Sequence, residues 1–147
     1  MILNRQRRVR IPIQNLEAFL SRARRILQLP ADAFTVCLVT DSEITRWNRS
    51  YRGKNRPTDV LSFPAHAASS KRSGRPRNRR PSEYLGDVAI APAIALRNAR
   101  HLGRPFDDEM KVLILHGILH LMGYDHERDT GQMDRRERRL HRALGLT

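Results

Sequence analysis

The sequence predicts an α+β fold: a small mixed β-sheet of about four strands packed with about five helices, one of them central and buried. Three observations lead there. Short β-rich runs and helical patterns follow one another in an order without an internal repeat. The segment from Phe106 to Met122 carries apolar residues on every side, which marks an enclosed helix. A chain of 147 residues, 39% of them hydrophobic, is long enough for one real core, so residues 1–147 read as a single domain.

The elements can be justified in order. Gln6 to Ile13 alternates basic and apolar residues and reads as an edge strand. Asn15 can cap a helix reaching about Leu29, with Leu16, Phe19, Leu20, Ala23, Ile26 and Leu27 on one side and Pro30 closing it. Arg22, Arg24 and Arg25 fall on its other faces as a solvated surface. Phe34 to Val39 is short and β-rich, a buried strand in which Cys37 acts as a small core residue. Thr40 and Glu43 form a capping-box pattern that opens a helix to about Tyr51. A polar turn over Gly53 to Thr58 leads into a strand over Asp59 to Pro64, stopped by its proline.

Composition changes at residues 66–82, where nothing is available to bury and a mobile polybasic loop is expected. Tyr84 to Ile90 returns as a strand, and Pro92 suits the first turn of a helix to about His101. Asp107, Asp108 and Glu109 suit the positive N-terminus of the central helix over Phe106 to Met122. A last helix, about Asp129 to Leu144, is charged and amphipathic only through Met133, Leu140 and Leu144.

Charge narrows the function classes. Lysine and arginine number 28 against 15 acidic residues, a formal net charge of +13, which favours a polyanionic partner and nucleic acid first. All the basic residues except Lys54, Lys71 and Lys111 are arginine, whose guanidinium forks phosphate and stacks on bases. Codon choice in a GC-rich genome is the competing explanation for that ratio. Lys71, Arg72, Arg75, Arg77, Arg79 and Arg80 make the polybasic loop a candidate for holding RNA phosphates; a tolerated surface insertion is the alternative. No apolar run approaches the length of a membrane span, so no membrane partner is expected. The N-terminus has no apolar signal core, and the lone Cys37 permits no internal disulfide and suggests no disulfide partner; a cytoplasmic location is expected.

The candidate site lies in the run from His116 to His126. His116 and His120 are four apart and share a helix face, about one turn from each other. Gly123 can end that helix in a left-handed conformation, and the turn brings His126 towards the pair. Three neutral imidazoles with a fourth position for water suit a catalytic zinc site, which places the metal ligands on the central buried helix. The spacing matches the zinc-protease pattern H-E-x-x-H-x-x-G-x-x-H except that Gly117 stands where the general-base glutamate belongs. A metal frame without the peptidase base points to hydrolysis of something other than a peptide. Asp125 can orient an imidazole or serve as a turn residue; Asp59 and Asp87 read as structural caps, and Tyr124 as a packing residue. His66, His101 and His141 have no partner at metal spacing and read as surface histidines.

The run His116 to His126 resembles the H-G-x-L-H-L-x-G-Y-D-H signature of the YbeY family of metal-dependent, single-strand-specific endoribonucleases. Asn48 to Pro64 resembles that family's other signature, and Leu85-Gly86-Asp87-Val88 fits a third block in the right order. The resemblance implies a role in ribosomal RNA maturation, near the 3′ end of 16S rRNA, and in ribosome quality control. It implies single-stranded RNA and the small ribosomal subunit as partners, and one zinc ion per chain on His116, His120 and His126. It also implies that Arg52 is functional, where it could clamp phosphate oxygens, and that His116 is tied to activity. Residues 69–81 depart from the family by being longer and more basic. Two other readings stay open: an RNA- or ribosome-binding module with a structural metal, and a metallopeptidase whose base comes from elsewhere.

Overall fold

The computed structural model describes residues 1–65, 84–125 and 127–146. The expected loop at 66–82 and His126 lie outside them. The described elements are β1 (Ile2–Asn4), α1 (Ile13–Leu27), β2 (Phe34–Leu38), α2 (Asp41–Arg52), β3 (Val60–Pro64), β4 (Gly86–Ile90), α3 (Pro92–Leu102), α4 (Phe106–Leu121) and α5 (Gln132–Ala143). The strands form one mixed sheet in the order β1-β2-β4-β3, so the α+β expectation is met. β1, β2 and β4 run parallel, and β3 is antiparallel to β4.

Alternation along the strands builds two layers of core. Phe34, Val36, Leu38, Val88 and Ile90 face a large cluster with Leu20 and Ala23 of α1, Ile114 and Ile118 of α4, and Met133 and Leu140 of α5. Leu61 and Ala89 face the other way, where Ile44 of α2 and Ile94 of α3 close a smaller cluster, with Cys37, Trp47 and Phe63 packed against it. Helices α4 and α2 therefore cover opposite faces of the sheet. Burial pushes the Cys37 thiol above its usual range, and the nearby Asp87 carboxylate adds to this.

The capping-box pattern is realised in part: Thr40 Oγ1 accepts the backbone N–H of Glu43 at 3.1 Å. Asp107, Asp108 and Glu109 do fall in the first turn of α4, and the buried Glu109 is paired with Arg104 at 2.7 Å. The apolar stripe expected on α5 is buried at Met133, Leu140 and Leu144.

The N-terminal region corrects the edge strand expected over Gln6 to Ile13. The edge strand is β1 at Ile2–Asn4, and Ile13 already belongs to α1, whose N-cap is Pro12 rather than Asn15. The reason is a local side-chain contact that alternation does not reveal. Gln6 is buried and makes a paired contact with the backbone of Val9, donating to its carbonyl and accepting its N–H, each at 2.9 Å. That contact satisfies the chain in a bend and leaves it unable to join the sheet. Arg24 is a second correction. It is buried, with its guanidinium 4.8 Å from the Phe34 ring centre, and is not part of a solvated surface.

Helix α4 comes close to the sheet at Gly117. A Cβ there would lie 2.7 Å from Val88 Cγ1 and 3.2 Å from Ser62 Oγ. Ser62 Oγ donates to the Gly117 carbonyl at 3.0 Å, tying edge strand β3 to the helix. Val88 is fully buried in β4 and stiff about χ1, so it cannot move aside cheaply. Gly117→Ala is expected to destabilise the protein by about 1–3 kcal/mol through overpacking, despite alanine's better helix propensity. Chemical denaturation would measure this; an unchanged or higher midpoint would show that the sheet yields at Val88.

Candidate functional site

His116 and His120 stand one turn apart on the part of α4 that the rest of the core leaves half-exposed. Their Nε2 atoms are 3.1 Å apart, with ring centres 4.6 Å apart and ring planes at 81°. Each ring is fixed from behind. His116 Nδ1 lies 3.0 Å from Glu137 Oε1 of α5, and His120 Nδ1 lies 3.1 Å from the Tyr124 carbonyl oxygen. Both partners are acceptors, so each Nδ1 carries the proton and donates it.

That tautomer turns the two Nε2 lone pairs towards the same small space, the arrangement in which two imidazoles share one cation. Two nitrogen ligands on a tetrahedral zinc, at bonds of about 2.0–2.1 Å, would be about 3.3–3.4 Å apart. The observed separation is within a few tenths of an ångström of this, so the pair fits a shared metal ion. Among the described residues no group of three His, Cys, Asp or Glu side chains forms a metal-holding cluster. The expected third ligand, His126, lies outside them.

The turn after α4 does more than end the helix. Gly123 has φ of 101°, and its N–H reaches the His120 carbonyl at 3.0 Å while the Tyr124 N–H reaches that of Leu119 at 3.0 Å. This wrap brings the Tyr124 carbonyl under the His120 ring, so the glycine orients a histidine through the backbone. Tyr124 itself packs against the main core, as expected. Among the described residues Asp125 makes the contacts of a turn residue. Its side chain accepts the Glu127 N–H at 3.1 Å and pairs with Arg128 at 3.6 Å, and its carbonyl accepts the N–H groups of Arg128 and Asp129.

Glu137 is the site residue that sequence reasoning missed. Burial raises its carboxyl pKa, but the hydrogen bond from His116, with the electrostatic influence of the neighbouring His116, His141 and His120 imidazoles, outweighs this and holds it below the usual range. A signal was present: Glu137 falls on the same helical stripe as Met133, Leu140 and Leu144, an acidic residue on an otherwise apolar inner face. His141, expected at the surface, is instead half-buried, and its Nε2 has no hydrogen-bond partner among the described residues. Burial pushes its pKa down, with Glu137 opposing and Arg104 assisting. His101 is exposed as expected, and His66 lies outside the described residues.

Arg52 is the exposed last residue of α2, followed by Gly53 as C-cap. It stands in the layer opposite the histidine helix, with edge strand β3 between the two. Tyr51 and Trp47 meet Phe63 of β3 edge-on, at ring separations of 4.8 and 5.9 Å. The buried Asn48 donates to the Arg56 carbonyl at 2.9 Å, fixing the turn beyond Arg52. The structure thus brings His116 and His120 together and sets Arg52 on a separate, well-anchored helix end. Asp59 accepts from Asn98 Nδ2 at 3.1 Å, and Asp87 accepts the Tyr84 hydroxyl, so both have structural partners. Lys71, Arg72, Arg75, Arg77, Arg79 and Arg80 lie outside the described residues.

The model of the family described as Endoribonuclease YbeY matches residues 1–145. The chain belongs to the YbeY endoribonuclease family. An Endoribonuclease YbeY from Koribacter versatilis is 37% identical over 146 residues, covering 99% of this chain and 86% of the relative. One from Helicobacter pylori is 35% identical over 135 residues, covering 92% and 87%. The solution structure of TM1509 from Thermotoga maritima superposes with a TM-score of 0.65 at 27% identity, covering 98% of this chain and 89% of that one. The geometry gives this YbeY member a reason to lack the protease glutamate. Position 117 faces Val88 and Ser62 across the helix–sheet contact, so a carboxylate there would have to displace the sheet.

If Glu137 orients His116 towards a metal, Glu137→Gln should weaken binding of zinc titrated into the metal-free protein by about 10–100-fold. Calorimetric titration would read this, and equal affinity in the variant would show that the carboxylate does not orient the ring.

Proposed function

We propose that this chain is a zinc-dependent endoribonuclease specific for single-stranded RNA, with His116, His120 and His126 holding one ion per chain. The observation that carries the proposal is the convergence of His116 Nε2 and His120 Nε2 at 3.1 Å, each ring anchored through Nδ1. When bound, such an ion supplies Lewis acidity towards a phosphodiester oxygen and acidifies water. Glu137 keeps His116 in the tautomer that offers Nε2, and the Tyr124 carbonyl does the same for His120. Arg52, exposed at the end of α2, serves to neutralise non-bridging oxygens of an RNA strand lying over β3. The basic residues Lys71, Arg72, Arg75, Arg77, Arg79 and Arg80 extend that role along the backbone.

Family membership supports RNA as the substrate, and the net charge of +13 agrees with a polyanion. Within the family reading, the substrate is ribosomal RNA of the small subunit. The role is maturation near the 3′ end of 16S rRNA and ribosome quality control, in the cytoplasm. No helix among the described residues is long and apolar enough to cross a membrane. The metallopeptidase alternative needs a base from another residue, because the packing at Gly117 leaves no room for a glutamate at that position.

Cleavage of a labelled single-stranded rRNA fragment, with bound metal quantified, tests the proposal. Wild type is expected to carry about one zinc per chain and to cleave; His120→Ala should lose both metal and cleavage. Arg52→Ala should keep the metal and lose about 10²–10³-fold in rate, the usual cost of removing one charge-stabilising donor. A metal-loaded wild type that binds RNA without cleaving it would overturn the enzyme in favour of an RNA-binding module.

A further inference from the structure

Helix α5 has two opposed faces. Met133, Glu137, Leu140 and Leu144 line the inner one, through which Glu137 holds His116. Arg135, Arg138, Arg139 and Arg142 recur at i, i+3, i+4 and i+7 on the other, all exposed, around a shared recess of about 310 Å³. These residues span about 10 Å along the helix at 1.5 Å per residue.

A run of charges on a helix is ordinarily a solvated face balanced by the opposite sign. This one is not balanced. Arg135 with Arg139 and Arg138 with Arg142 are like-charge pairs at i,i+4, and each opposes helix formation. Arg135 also lies in the first turn, where the helix dipole disfavours a cation. Asp134 offsets one arginine, pairing with Arg138 at 2.8 Å on the exposed surface. The other acidic residue of the helix, Glu137, is turned inward to His116. A face that repels itself, with four guanidinium groups around one recess, is relieved by an anion carrying several charges at spaced positions.

From this we infer that the outer face of α5 is a second RNA-binding surface, taking the phosphodiester backbone of a segment other than the one at the histidines. The inference rests on the proposed RNA substrate. A helix is about 10–12 Å across with its side chains, so the arginine face and the imidazole pair lie on opposite sides of that thickness. One short stretch of RNA cannot fill both. The surface grips phosphates without reading bases, and its contribution appears in the salt dependence of affinity.

The test compares RNA affinity over a series of salt concentrations in the full-length wild type and in Arg138→Gln/Arg139→Gln/Arg142→Gln. Glutamine keeps helix propensity, and circular dichroism checks the fold. A second variant, Arg22→Gln/Arg25→Gln/Arg100→Gln, removes three exposed charges from α1 and α3. Loss of three phosphate contacts should make the slope of log affinity against log salt shallower by about 2 in the α5 variant. The α1/α3 variant should keep the wild-type slope. Arg138→Lys/Arg139→Lys/Arg142→Lys, which retains the charge, should restore most of the slope. An unchanged slope in the α5 glutamine variant, or an equal change in both glutamine variants, overturns the surface. So does binding to phosphatidylglycerol vesicles that depends on these arginines while RNA binding does not. Cleavage is scored separately: a wild type that binds RNA without cutting it removes the enzyme and leaves the surface standing.

Discussion

The close approach of α4 to the sheet at Gly117 is the contact on which the rest of the arrangement depends. With no side chain at that position, the helix settles directly on Val88, and its backbone carbonyl comes within reach of Ser62 on the edge strand. Helix α4 is apolar almost all round, and the core claims Ile114, Leu115, Ile118 and Leu119. Once the Gly117 side is seated, His116 and His120 are left on the part of the helix surface that remains half-open. Two polar rings can stay there because each has a partner for its second nitrogen, which removes most of the penalty of partial burial.

Edge strand β3 then links the two halves of the candidate site. Its Ser62 face is bonded to α4, and its Phe63 face is packed by Trp47 and Tyr51 of α2. Alternation of side chains along one strand is what lets it hold a histidine helix on one side and an arginine-bearing helix end on the other. The absence of the protease glutamate belongs to the same packing. A hydrolase on this frame cannot take its base from the residue after the first histidine, because that position is spent on the helix–sheet contact.

Helix α5 has an analogous division of labour. Its inner stripe contributes apolar residues to the core and one carboxylate to His116, while its outer face carries an excess of arginine that its own acidic residues do not balance. A single helix thereby serves the site's geometry from one side and presents charge to solvent from the other.

Local spacing alone determined the histidine pair, since i,i+4 residues share a helix face whatever surrounds them, and a glycine after the last turn ends the helix in a predictable way. It also determined the cap at Thr40, the strands at Phe34, Val60 and Gly86 to within two residues, and the buried α4, because each is set by contacts between near neighbours. Glu137 reaches His116 across 21 residues of sequence, and Ser62 reaches Gly117 across 55, so no local pattern encodes either bond. The misread strand at Gln6 to Ile13 has a different origin: alternation counts apolar and polar positions, whereas Gln6 folds its amide back onto the backbone of Val9, a local contact that the alternation does not register. Which ring nitrogens face one another, and which layer holds Arg52, was decided only when the helices packed on the two faces of the sheet, because packing and not spacing sets the direction in which a half-buried polar group can be satisfied.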